Sequence, residues 1–202
     1  MAARKKTSLG LKLAWVALVL VVVGVAVTLV WQLIGSNQLG RNNIDRNLDS
    51  FDTSCAAGTV SDVLAVLRIG EQRFPVLAGV GSEQLNGGVG MYPGSAAPGQ
   101  IGNTAIAGYR ITNGQPFRNL LELQAGQIVT LETCQKAYRY EVTVPASELT
   151  VKAEDDWVLD EVPGEPGKRA TKPMLTLTTS QDLLPTSDRS VCFATFLDEQ
   201  DN

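Results

Sequence analysis

The chain has 202 residues, with 17 basic side chains, 21 acidic ones and no histidine, and 44% of it is hydrophobic. That length holds one domain of ordinary size plus an attachment. The net charge of −4 argues against a nucleic-acid partner, which calls for a basic face, and a chain with neither histidine nor Cys-x-x-Cys gives little support to a zinc site, so neither metal nor cofactor is expected.

Residues 1–12 form a basic tail, with Arg4, Lys5, Lys6 and Lys12 and no acid. Residues 13–34 read as a transmembrane anchor. Leu13 to Trp31 carries no charge and the apolar character runs on to Ile34, long enough to cross a hydrocarbon core of about 30 Å. A cleaved secretory signal has a shorter apolar run, roughly 7–15 residues. The positive flank predicts a single-pass protein of the plasma membrane with a cytoplasmic N-terminus and an extracellular remainder. That remainder holds 13 basic and 21 acidic residues, a net charge of −8.

Residues 35–59 are polar and rich in Asn and Asp, with Ile44, Leu48 and Phe51 at near-helical spacing, and read as a stalk. The domain proper is expected over 60–197, followed by a short tail at 198–202. Its pattern is mainly β. Val63–Ile69 and Arg73–Leu77 read as strands across a Gly-containing turn. Residues 79–102 are dominated by Gly and Pro and read as a folded loop. Asn103–Tyr109 reads as a buried strand, and Pro116–Leu123 as a short helix with proline in its first turn. Gln127–Thr133 and Ala137–Val144 alternate and make a hairpin. A loop over Lys152–Pro173 leads to the last two strands, Met174–Thr179 and Ser190–Phe196. Many short strands with few helices predict a small barrel or sandwich. Cys55, Cys134 and Cys192 allow three single disulfides with one thiol left over, and their spacing does not choose between them.

Several segments, in order, carry a family likeness. The run "GVGSEQLNGGVGMYPGSAAPGQIGNTAIAGYRITNGQPFRNLLELQAGQIVTLET", then "DDWVLDEVPG", then "LTLTTS" followed by Arg189, resembles the sortases, most closely the actinobacterial class E type. These are membrane-anchored cysteine transpeptidases of Gram-positive bacteria. The resemblance implies an eight-stranded β-barrel with short helices and a peptide groove, behind one N-terminal transmembrane helix. Active members cut a sorting signal at a Thr–Gly bond, hold it as a thioacyl intermediate and pass it to an amine. They use a histidine after "AG", a cysteine at the end of the "TLTT" strand and an arginine at the start of the last strand. In this chain those positions hold Tyr109, Ser180 and Arg189.

Two of three catalytic positions are therefore changed, and the chemistry decides what remains. A serine needs an adjacent base. A phenol with an ordinary pKa of about 10 is neutral at pH 7, and a guanidinium stays protonated. Asp182, Asp188 and Arg110 are the nearest titratable neighbours and reproduce no known pairing. Cys192, three residues beyond Arg189 in one strand, is expected to face the other way. Thr178 and Arg110 complete the expected groove. The leading expectation is an inactive member that binds a peptide, a cell-surface protein or an active sortase. One alternative is an active enzyme using Ser180; another is a structural scaffold with no groove ligand.

Overall fold

The computed structural model describes residues 9–180 and 186–202. It separates into two units, Met1–Ser36 and Asn37–Asn202. Helix α1, Leu9–Ala57, contributes to both. Its first part is long and apolar enough to cross a membrane, and none of its most apolar stretch is buried against protein. Arg4, Lys5 and Lys6 lie outside the described residues.

The segment read as a stalk is the rest of α1 and falls within the compact unit Asn37–Asn202. Gly40, Ile44 and Phe51 are buried, and Leu48 packs on the core beside them. These positions recur every three to four residues and so form one stripe of a helix. Polar residues beside the stripe hold loops: Asn43 and Asn47 donate to the carbonyls of Asn86 and Gly87. At the far end Arg73 grips Asp52 with two bonds, at 2.8 and 3.1 Å. That grip lowers the Asp52 pKa and raises that of Arg73. Cys55 is joined to Cys134 across 79 residues, which selects one of the three possible disulfides and leaves Cys192 free and buried.

The strands are β1 Val63–Ile69, β2 Gln72–Ala78, β3 Val89–Met91, β4 Gly102–Ala107, β5 Ile128–Glu132, β6 Lys136–Val144, β7 Thr150–Lys152, β8 Pro173–Ser180 and β9 Asp188–Asp201. They pair in the order β6-β5-β1-β2-β3-β4-β8-β9, and a β6–β9 ladder closes the ring into an eight-stranded barrel. Closure leaves no free edge around the ring. The short β7 adds to the start of β9, over Asp188–Ser190, where β6 does not reach.

Two expectations change. The Gly/Pro-rich stretch 79–102 contains a short helix α2, Ser82–Gly87, and strand β3, which supply the parallel β2–β3 step. Pro116–Leu123 is not an α-helix but a run of i+3 turns ending in a 3₁₀ turn at Leu120–Glu122. Phe117, Leu120 and Leu123 all reach the core, and a spacing of three suits three residues per turn better than 3.6.

Strand β8 carries the alternation that matters most. Leu175 and Leu177 point into the barrel core, whereas Thr176 and Thr178 take the outer face. That face is also covered, by an outer cluster of Val151, Val158, Val191 and Phe193 with Trp157 and Leu159 against it.

Candidate functional site

The end of β8 and the start of β9 meet in register, with Ser180 directly opposite Arg189 and Thr178 opposite Val191. Directly opposed residues lie on the same face, so Ser180, Thr178 and Arg189 share the outer side. Here a hollow of about 90 Å³ is walled by Thr178, Arg189 and Val191 from the two strands, Tyr92 from the loop after β3, and Val151, Lys152, Asp155 and Asp156 from β7 and the turn beyond. Among the described residues Tyr109, Arg110 and Ser180 do not wall it. Larger hollows, of about 520 and 530 Å³, have other linings, one by Asn43, Asn47 and Gly87 beside helix α1 and one by the β1–β2 turn with residues 119–128.

Tyr109 follows the last residues of β4. Gly108 N–H donates to the Thr178 carbonyl at 3.2 Å, and Thr179 Oγ1 donates to the Gly108 carbonyl at 2.9 Å. Two bonds thus fix the backbone just before Tyr109 against β8. Gly108 also admits the Phe117 ring, since a Cβ there would stand 2.7 Å from it. Tyr109 is half-buried, and its carbonyl accepts from Phe117 N–H at 3.0 Å. Arg110 Nε donates to the Ser180 carbonyl at 3.0 Å. Arg110 therefore ties the loop to the strand end, a role the sequence does not disclose.

Arg189 does not pair with the carboxylate beside it. Its Nη1 donates to the carbonyls of Thr186 and Asp188 at 2.9 and 3.0 Å. The Asp188 carboxylate is instead ion-paired with Lys152. That hydrogen bond raises the Lys152 pKa, so the lysine stays protonated and is poorly suited to deprotonate a hydroxyl. Asp155 is also engaged, accepting from Lys152 N–H at 2.7 Å. Asp182 lies outside the described residues. Cys192 sits in the inner cluster with Leu177 and Ala194, and burial pushes its thiol pKa up to about 12. It faces away from Arg189, on the opposite side of the sheet from the hollow.

Sequence reading missed Tyr92, whose hydroxyl lies 3.2 Å from Thr178 Oγ1. Its Gly/Pro-rich surroundings gave no signal. Among the described residues no group of three or more acidic, cysteine or histidine side chains is placed to hold a metal.

A family model described as the Sortase domain matches residues 64–196, and the chain belongs to the sortase family. It is 31% identical over 134 residues to Sortase SrtE1 of Streptomyces coelicolor; the match covers 62% of this chain and 37% of that protein, so the chain spans little more than a third of that relative. Among solved structures it is similar to sortase E from Streptomyces avermitilis, with a TM-score of 0.61, 32% identity, and coverage of 69% of this chain and 91% of the other. SrtA sortase from Actinomyces oris gives a TM-score of 0.64 at 29% identity, covering 69% and 82%. Sortase E1 from Streptomyces coelicolor with a tripeptide in its active site gives 0.61 at 26%, covering 69% and 91%.

Proposed function

We propose that this protein is a membrane-anchored sortase that has lost transpeptidation and kept peptide binding. The N-terminal helix anchors it in the plasma membrane, with the barrel on the extracellular side. The reading is carried by one observation: the family's cysteine and histidine positions hold Ser180 and Tyr109, in a chain with no histidine at all. Losing one member of a nucleophile–base unit costs about 10⁶ in rate in a serine protease. Among the described residues near Ser180, Lys152 and Asp188 are paired with each other and Arg110 and Arg189 are guanidinium groups, so none of these four is a ready base.

The rest of the groove suits recognition without cleavage. Arg189 supplies a fixed positive charge with five N–H donors, and its two named contacts use a single nitrogen. Tyr92 and Thr178 place two hydroxyls beside it. Such groups match the carbonyls or carboxylate of an extended peptide. A relative of this family holds a tripeptide in its active site, which supports a peptide or a cell-surface protein as the occupant.

The test is fluorescence polarisation with a labelled Leu-x-x-Thr-Gly-type peptide, followed by mass spectrometry of the same sample. Binding with an uncut peptide is expected, and Arg189→Ala weakens it by about tenfold, or about 1.4 kcal/mol. A fluorophosphonate adduct that forms on wild type and is absent from Ser180→Ala would replace this reading with an active serine enzyme. No binding to any peptide of this type would leave the scaffold reading in its place.

A further inference from the structure

The loop that carries Tyr109 and Arg110 is gripped from two sides. On the barrel side, Gly108 and Arg110 bond to the end of β8. On the other side stands the docked part of α1. The Asn37 side chain donates from Nδ2 to the Ile111 carbonyl and accepts at Oδ1 from Gly114 N–H, both at 3.2 Å. One turn further along, Gly40 lies against the next peptide of that loop. A Cβ at this position would stand 2.0 Å from the Asn113 carbonyl carbon, closer than any side chain tolerates. At and just beyond the helix-side contacts the backbone has positive φ at three successive residues: Asn113 at 52°, Gly114 at 84° and Gln115 at 59°. Two of these are not glycine, and such a path persists only where the surroundings over-determine it.

We infer that Asn37 and Gly40 are positioning residues for the groove: the start of the docked helix holds loop 111–115 in its left-handed path and so sets where Tyr109 and Arg110 meet the end of β8. The inference rests on the peptide-groove reading, but its first readout needs no ligand. The competing account is that the loop holds itself, since Gln115 Nε2 also donates to the Ile111 carbonyl and Gln115 N–H to the Thr112 carbonyl.

Amide hydrogen exchange on the full chain in detergent micelles separates the two. Alanine favours a helix more than glycine does, so any loosening caused by Gly40→Ala comes from the collision and not from a weaker helix. Asn37→Ala, a milder change, removes the two bonds without a clash. Both variants are expected to speed exchange across 111–118 at least tenfold while β1 and the 191–196 part of β9 keep their protection. Both are also expected to weaken binding of the labelled Leu-x-x-Thr-Gly peptide about fivefold. Unchanged exchange in 111–118, or a rise spread evenly over the barrel, overturns the inference. So does a loosened loop with unchanged affinity. Failure of wild type to bind the peptide counts against the proposed function, and the exchange data then decide the inference by themselves.

Discussion

The β8–β9 pair has two faces that differ in almost every physical respect. The inner face carries Leu175, Leu177, Cys192 and Ala194, all within the barrel core. The outer face carries Thr178, Ser180, Arg189 and Val191, three of them polar, at the edge of a small hollow. Neighbours in the chain are assigned to opposite tasks. Cys192 has the atom that sortase chemistry needs and occupies the face where that atom is inert. In the proposed function, Ser180 stands at the strand end where the family's thiol is expected. The proposed loss of activity rests on that split, since a thiol at the strand end is what the family's chemistry calls for and here thiol and strand end fall on different residues.

Breaking the inner face should have the largest effect. Leu177→Ala is expected to cost about 2–5 kcal/mol, the range for truncating a buried leucine. Urea unfolding followed by near-ultraviolet circular dichroism measures it. A cost under 1 kcal/mol would mean that this face is not the packed interior described above.

Restoring the outer face is the next largest. In Tyr109→His with Ser180→Cys, the peptide-cleavage rate is expected to rise at least ~10² over wild type, within the range a positioned acid–base contributes. Each single change is expected to stay at the wild-type level, because nucleophile and base act as a unit. If the folded, peptide-binding double variant stays inert, residues other than these two limit cleavage.

The smallest effect sharpens the contrast between faces. Cys192→Ala is expected to cost about 1 kcal/mol in stability and to leave peptide affinity unchanged. With its pKa pushed up to about 12, the native thiol is expected to resist iodoacetamide at pH 8. Labelling should appear only on unfolding. Rapid labelling of the folded chain would place Cys192 at the surface and undo the assignment of faces.

Much of this was legible in one dimension. The Leu/Thr alternation of 174–179 set which side chains share a face, because successive residues of a strand point oppositely. The odd separation of Arg189 and Cys192 placed them on opposite sides for the same reason. The missing imidazole was visible as a composition fact. Less legible were segments whose role depends on a distant partner. The Asn-rich stretch 37–47 reads as solvent-facing by polarity, yet Asn37, Asn43 and Asn47 bond to loop backbone groups 40 to 77 residues away. Tyr92 and Lys152 gave no local sign that they would wall the hollow.

Residue order alone was enough for the apolar helix, the strand periods, the membership of the two faces and the absence of histidine. Each follows from residue type and spacing along a single segment. It took the folded chain to show that Cys55 pairs with Cys134, that Lys152 takes Asp188 away from Arg189, that Arg110 holds the Ser180 carbonyl, and that α1 grips the loop beyond Tyr109. Those depend on which segments closure of the barrel brings within a few ångströms, and a hydrogen bond or disulfide is defined by that distance and not by position in the chain.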